Sequence, residues 1–369
     1  MIPLNAPTRN TLIRNRLACL LCAAALLFTV PVFPARAEEE NSDPLSATSG
    51  QQEEAGDQLT ADSEAFSGAE EADNFTAEEA RPGWPEFPAE GEYVTEDPDN
   101  GVWEYRSPKL IVQIHKQTQT KPSKQVWYEA EVWVAEGGDY PRMIANDPEN
   151  WGKIKKEEYP YKIARKNGVV LAVSSDFAHL RKQQGKYVGV VIRNGKIISD
   201  RTYRSGNTNF PNLDCLAVWP DGNMAVYDSK EKTAAEYLEA GVTDVLAFGP
   251  VLIRDGQLTD KAVSKKNNRE KAQRVAVGMV ERGHYFFMML EGRLKRSVGA
   301  GVSFLAEKLL EKGCTLAINL DGGQTSCIVF MGHQLCKIKQ GTTISSRRTC
   351  DILGVGYSEN LPGVKDGFP

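Results

Sequence analysis

The sequence predicts an α+β fold: a large, mostly antiparallel sheet with a few helices packed on it. Three observations predict it. Tight turns ending in glycine recur after apolar runs, at Asn194-Gly195, Asp221-Gly222, Asp255-Gly256, Glu291-Gly292 and Met331-Gly332. Lys109 to Lys116 and Val126 to Val134 alternate apolar and polar residues over much of their length. Only two stretches read as capped helices, 233–240 ending at Gly241 and 304–312 ending at Gly313. Repeated Asn-Gly and Asp-Gly turns are hairpin signals, and period-two alternation is the signature of a half-buried strand. The turn spacing is too irregular for a solenoid or propeller. Neither a Gly-x-Gly-x-x-Gly nor a P-loop is present, so a nucleotide-binding fold has no support.

In chain order, residues 1–37 read as a secretory signal peptide. Arg9, Arg14 and Arg16 precede the apolar run Leu17 to Val32, and Ala35-Arg36-Ala37 forms a small-x-small cleavage site. The run is about 16 residues, short for a span of roughly 20, so the expected product is exported and extracellular, cut after Ala37, with no stable membrane insertion. Residues 38–90 read as a disordered acidic spacer. Its first part, 38–80, holds 14 Asp or Glu and no Lys or Arg. Such a segment buries too little apolar surface to offset its chain entropy. With signal and spacer removed, the net charge of −5 becomes a surplus of +5 on residues 81–369. The remaining divisions are an N-terminal β-rich region over 91–164, a main domain over 165–359, and a tail over 360–369.

Residues 153–166 read as a connection or short helix. Thr233 to Ala240 ends at Gly241, and Ser303 is placed to cap Phe304 to Lys312, with Leu305 and Leu309 on one face. Five cysteines follow the signal: Cys215, Cys314, Cys327, Cys336 and Cys350. An odd count in an exported chain leaves at least one thiol unbridged within the chain. A hairpin turning on Met331-Gly332 would set Cys327 opposite Cys336, within reach of a disulfide.

The most informative stretch is Asn319-Leu320-Asp321-Gly322-Gly323, between the apolar runs 315–318 and 327–330. The glycines permit a sharp turn and close approach of a ligand to the main chain where a carboxylate is presented. An ordinary Asp-Gly hairpin fits the same residues. A second carboxylate, Asp176, follows the apolar strand Val169 to Val173, where a plain strand-end turn fits equally. His179 and His333 need no function, and no His, Asp, Glu or Cys spacing matches a metal site.

Four segments of residues 165–357 resemble the phosphodiester glycosidase family, which includes uncovering enzymes and bacterial relatives tied to exopolysaccharide biosynthesis. They are the passage Ser303 to Gly332 with its Asp-Gly-Gly, Phe248-Gly249-Pro250 through Gly256, Arg274-Val275-Ala276-Val277-Gly278, and Glu291-Gly292-Arg293. Arg347-Arg348 followed by Asp351-Ile352 also fits. The chain departs from the family at Gln324-Thr325-Ser326, where Gly-Ser-Ser is usual, and at Ser174-Ser175-Asp176-Phe177-Ala178, where Asn-Gly-Asp before paired aromatics is usual.

The resemblance implies a hydrolase that cleaves sugar-1-phosphodiester (C1–O–P) linkages in glycans; with the signal peptide the expected targets are cell-surface or extracellular, and no cofactor or metal is expected. That reaction passes through an oxocarbenium-like transition state, which carboxylates stabilise or attack. The departing phosphate needs its charge held, a task suited to the planar guanidinium of Arg. The expected catalytic carboxylates are Asp321, Asp176 and Glu291. The expected substrate-binding residues are Arg274, Asn319, Gly322, Gly323, Ser326 and Gly249. The expected partner is a phosphodiester-linked glycan and not a nucleic acid. A non-catalytic glycan-binding or exopolysaccharide-assembly protein on the same fold is the alternative, motivated by the departures around Asp176 and Gly323.

Overall fold

A computed structural model of the chain describes residues 81–150, 157–176, 188–200, 213–339 and 346–361. The signal peptide, the spacer up to 80, His179 and the tail from 362 lie outside the described residues. The chain divides into two units, Met1–Asn74 and Phe75–Pro369, and every described residue belongs to the second.

The described residues form three sheets. The first has nine strands, in the spatial order β1 (Tyr93–Asp97), β2 (Val102–Arg106), β3 (Leu110–Gln119), β4 (Gln125–Val134), β15 (His284–Leu290), β14 (Arg274–Glu281), β16 (Leu316–Leu320), β12 (Val251–Arg254) and β13 (Gln257–Leu258). The second runs β10 (Met224–Tyr227), β9 (Asp214–Val218), β11 (Asp244–Phe248), β7 (Val190–Arg193), β8 (Lys196–Asp200). The third runs β18 (His333–Gln334), β17 (Ile328–Phe330), β6 (Val169–Val173), β19 (Asp351–Tyr357), β5 (Arg142–Ala145). The pairings are antiparallel, as in β4 with β15, β9 with β11, and β6 with β19. Residues 91–164 thus feed strands into the same sheets as the rest: β4 pairs with β15, and β5 with β19.

The three sheets share a central core, and each carries a helix on its outer face. Along β14 and β15, Val275, Val277, Tyr285, Phe287 and Met289 join the central cluster, with residues from all three sheets. The alternate positions Ala276, Phe286, Met288 and Leu290 meet Leu305, Ala306 and Leu309 of a helix at Ser303–Glu311. The division follows from the two-residue repeat of a strand, which sends successive side chains to opposite faces. The second sheet packs against Ala234 and Tyr237 of a helix at Ala234–Glu239, and the third against Ile163 and Ala164 of one at Pro160–Lys166. Coverage on both faces explains the unbroken apolar run Val169–Val173, all five residues buried.

Local chemistry decides most turns. Asn194 (φ 47°) with Gly195 (φ 72°) joins β7 to β8, and Asp255 (φ 52°) with Gly256 (φ 70°) joins β12 to β13. Two consecutive positive φ values are the geometry of a primed hairpin turn. Thr233 caps its helix in a reciprocal box with Glu236.

Three expectations are corrected. Ser303 does not cap its helix; Val302 is the N-cap, and the Oδ1 of Asn268 accepts the Ser303 N–H at 2.8 Å instead. Glu291-Gly292 does not turn into another strand of the sheet, because the chain runs on through an irregular loop held by the Leu294–Ser297 bridge. The β17–β18 hairpin has the expected register, Phe330 opposite His333, yet Cys327 and Cys336 are free thiols buried in two different core clusters.

Candidate active site

Asp321-Gly322-Gly323 is not a hairpin. It carries the chain from β16 in the nine-stranded sheet to β17 in the third sheet, through a short 3-10 turn at Gly323–Thr325. The turn lies where ends of all three sheets meet. Asp321 donates its N–H to the Ser175 carbonyl (3.0 Å), and the Ser174 hydroxyl donates to the Asp321 carbonyl (2.7 Å), so the end of β6 is bound to the end of β16. The Asn319 N–H donates to the Pro250 carbonyl (3.0 Å) and its Nδ2 to the Gly249 carbonyl (2.9 Å), which brings in the β11–β12 connection.

The register of the large sheet places most expected residues along one edge. Arg274 opposes Leu290, Val275 opposes Leu320, and Val251 opposes Ile318. The last pair of the β14–β16 ladder, Val275 with Leu320, leaves Arg274 and Asp321 as the next residues of the two strands at that end. Gln273 locks the arrangement. Its carbonyl accepts the Gly323 N–H at 3.1 Å, and its Nε2 donates to the Lys339 carbonyl at 2.6 Å. Both flanking glycines are needed for that approach. A Cβ on Gly322 would stand 2.8 Å from the Gln273 carbonyl oxygen, and one on Gly292 would stand 2.6 Å from the Gln273 nitrogen. Gly323 itself has φ +59°, in the left-handed region. Gly249 (φ +74°) packs where a Cβ would meet the buried Asp214 at 2.8 Å.

The ionisable residues fall into distinct states. Arg274 is half-buried and spends its donors on two main-chain carbonyls, Ala300 (3.2 Å from Nε) and Glu270 (2.8 Å from Nη2). No carboxylate among the described residues forms a salt bridge with it. Burial lowers its pKa; Glu270 opposes that shift and the neighbouring Arg293 adds to it. Asp321 is 6% exposed. Glu291 is fully buried with both oxygens engaged: Oε2 accepts from Arg296 Nε at 2.8 Å, and Oε1 accepts from Arg296 Nη2 and from the Lys337 N–H at 2.7 Å.

Asp176 is also fully buried. Its Oδ2 accepts from Arg193 Nη2 at 2.8 Å and from the Ala247 N–H at 3.3 Å. Arg193, 1% exposed, reaches on with Nε to Asp351 Oδ2 at 3.1 Å and with Nη1 to the Val245 carbonyl at 2.6 Å. Burial alone would lower the pKa of Arg193, but the two carboxylates outweigh it and hold the guanidinium charged. Asp351 in turn accepts from the Ser175 hydroxyl, which closes the loop back to the Asp321 turn.

Several enclosed oxygens here have no hydrogen-bond partner among the described residues: Asn319 Oδ1, Gln273 Oε1, Thr325 Oγ1 and Ser326 Oγ. Orphaned buried polar atoms are rare in folded proteins, and ordered water or a polyhydroxylated ligand would satisfy them. Among the described residues no group of three His, Cys, Asp or Glu could hold a metal ion.

The structure therefore gathers Asp321, Asn319, Gly322, Gly323, Gly249 and Arg274 at one sheet edge, with Ser326 three residues along the same turn. Asp176 and Glu291 flank them, each engaged by its own arginine. Sequence reading missed Arg193, Arg296 and Gln273. A charged residue ending the otherwise apolar run Val190-Val191-Ile192 was the available signal for Arg193. Gln273 and Arg296 had none, since their partners are set by strand register.

The phosphodiester glycosidase family profile matches residues 167–355. An uncharacterized SPbeta prophage-derived protein of Bacillus subtilis strain 168, YomE, is 25% identical over 223 residues, which cover 60% of this chain. The matched region spans about a third of that relative, 33% of its length. Among solved structures, the catalytic domain of zebrafish N-acetylglucosamine-1-phosphodiester alpha-N-acetylglucosaminidase, auto-inhibited by its pro-peptide, superposes with a TM-score of 0.54 at 16% identity. That match covers 68% of this chain and 85% of the zebrafish domain, and it shows a shared fold. A protein from Synechocystis aligns at TM-score 0.48 and 14% identity, over 69% of this chain and 65% of its own. The profile takes in both faces of the site just described, from the strand that leads to Asp176 to the strand that begins at Asp351, and on that match the chain belongs to the phosphodiester glycosidase family.

Proposed function

We propose that this protein is an exported hydrolase that cleaves the sugar C1–O bond of glycosyl phosphodiesters in cell-surface or extracellular glycans. The observation that supports it most is Arg274: a desolvated guanidinium beside the Asp321 turn, with only neutral carbonyls as partners. Desolvation there outweighs the pull of Glu270, and a phosphodiester oxygen bound there would answer the charge through charge-assisted hydrogen bonds.

In this reading Arg274 holds the diester and stabilises the phosphomonoester as it leaves. Phosphate is a good leaving group, so little general-acid help is required. Asp321, presented at the mouth of the same edge, faces the anomeric carbon and stabilises or attacks the oxocarbenium-like centre. Gly322 and Gly323 let the sugar approach the main chain, while the enclosed Asn319 and Ser326 shape the turn behind it. Asp176 and Glu291 act as positioning residues, because Arg193 and Arg296 already occupy their carboxylates.

The test is turnover of a panel of sugar-1-phosphodiesters, with free sugar and phosphomonoester followed by mass spectrometry. Wild type should release both products. Asp321→Asn should lose kcat, and Arg274→Met should lose most of kcat/KM, with the folded state intact by circular dichroism. Binding of the glycans without turnover by a well-folded wild type would transfer the assignment to a glycan-binding module.

A further inference from the structure

Four chain segments lie around the Asp321 turn, two bonded to it directly and two held through Gln273 and Glu291. Residues 265–274 arrive at Gln273, whose carbonyl holds Gly323. Residues 291–296 leave from Glu291, and Gly292 packs directly on the Gln273 nitrogen. Residues 335–339 are tied in twice, by the Lys337 N–H to Glu291 and by the Lys339 carbonyl to Gln273. Residues 346–349 attach through the Arg347 N–H, which donates to the Gln324 carbonyl at 2.9 Å.

Together these segments carry twelve Lys or Arg and two Glu. Residues 81–369 as a whole have a surplus of only five positive charges, so the rest of that region is net negative. The two Glu are already engaged, Glu291 by Arg296 and Glu270 by Arg293. Several of the cations are exposed, Lys266, Lys271 and Lys295 among them. A single phosphodiester carries one negative charge, and Arg274 alone answers it. Arg293, Arg296 and Arg348 have carboxylate partners in Glu270, Glu291 and Glu158, while the exposed lysines gain nothing from a monovalent substrate.

We propose that the site acts on a polyanion: a glycan polymer whose sugars are joined through repeated phosphodiesters, its further anionic groups lying along this basic border while one linkage sits at Arg274 and Asp321. The four bordering segments contain no Phe, Tyr, Trp or His. A groove for single-stranded nucleic acid would carry aromatic platforms for stacked bases, so a polymer without bases fits better. The catalytic arm of this inference rests on the glycosidase reading above; the charge arm does not.

The experiment compares, on the full chain, a polymer of sugar-1-phosphodiester repeats with the matching monomeric diester, across salt concentrations. At low salt the polymer should have a KM lower by about tenfold or more per linkage, with similar kcat, and the difference should vanish near ~0.5 M salt. The variant Lys266→Gln/Lys271→Gln/Lys295→Gln should raise KM for the polymer several-fold and lower its salt dependence, while the monomer-to-polymer difference shrinks. Equal salt dependence for polymer and monomer would overturn the inference. So would a charge-matched single-stranded DNA that competes as tightly as the polymer. If neither substrate is cleaved, titration of the same polymer against its uncharged analogue still decides: salt-sensitive binding of the charged form upholds the polyanion inference while the glycosidase reading fails, and no binding overturns both.

Discussion

Replacing Arg193 with Met should be the most damaging single change in the second unit outside the Asp321 turn. Methionine keeps much of the volume but leaves Asp176 and Asp351 buried, at 0% and 4% exposure, without their shared cation. It also removes the donor that Arg193 Nη1 gives the Val245 carbonyl at 2.6 Å. Breaking a buried ion pair by removing one partner costs about 3–5 kcal/mol, so about 4 kcal/mol is expected here even if one carboxyl takes up a proton. Against a typical total of about 5–15 kcal/mol, that is a large share. With a urea dependence of about 3 kcal/mol/M, the unfolding midpoint should fall by about 1.3 M.

The pH dependence gives an independent check on the same variant. In Arg193→Met the two carboxylates keep their low-dielectric surroundings but lose that cation, so their charged forms are disfavoured in the folded state. Stability then falls as pH rises, and the deficit should shrink as pH is lowered and the carboxyls protonate. Adding Asp176→Asn and Asp351→Asn should recover a good part of the loss, since an uncharged buried cluster is tolerated far better than an unpaired one. The measurement is urea unfolding by fluorescence at several pH values. A loss below about 1 kcal/mol at neutral pH, with no change in pH dependence, would refute the electrostatic account of this network.

Three further outcomes are expected. Asp244, buried and accepting the Asn194 N–H at 3.0 Å, has its pKa raised by desolvation against the pull of that hydrogen bond and of Arg193. A raised folded pKa means a penalty at neutral pH that disappears in acid, so the stability of Asp244→Asn relative to wild type should improve from about pH 4 to about pH 7; a flat difference in urea unfolding would count against it. Gly323→Ala, at φ +59°, should cost about 1 kcal/mol, whereas Gly322→Ala, driven into the Gln273 carbonyl at 2.8 Å, should distort the edge and abolish turnover; equal and mild effects on melting temperature and kcat would contradict the packing. Cys336, pushed up to about 12 by burial, and Cys327, also raised by burial, should resist alkylation in the native state, while Cys215, Cys314, Cys327, Cys336 and Cys350 should all react in denaturant without reductant; two fewer labels by mass spectrometry would show a disulfide.

Two of the residues that differ from the usual family pattern, Ser174 and Ser175, lie behind the Asp321 turn, whereas Gln324 and Thr325 lie within it. Ser174 and Ser175 bind the Asp321 main chain and Asp351, not open space. Their small hydroxyls let β6 end against β16 while Arg193 closes the gap from the second sheet. These departures therefore bear on how the carboxylate is supported, and the turnover of Asp321 variants is the proper measure of whether the chemistry persists.

By itself the sequence determined the features that depend on a few neighbouring residues. Asn194-Gly195 and Asp255-Gly256 turn because their own backbone preferences allow it, and Thr233 with Glu236 caps a helix within one turn. The motif around Asp321 and the arginine opening β14 were legible for the same reason: each is short and carries its chemistry locally. The tertiary structure alone decided how the flanking acidic residues are engaged. Asp176 is engaged by Arg193, 17 residues away, which is bound in turn to Asp351, 158 residues further on, and no local pattern encodes partners at that separation. Glu291 and Arg296 are only five residues apart, yet it is the fold that buries Glu291 completely and makes their pairing obligatory. Likewise, Asp321-Gly322-Gly323 and an ordinary hairpin share one sequence signature, and only the packing of three sheets around a common core sends the chain from one sheet to another at that point. Turn geometry is set by torsional preferences of adjacent residues, whereas the state of a buried charge is set by whatever the rest of the chain brings beside it.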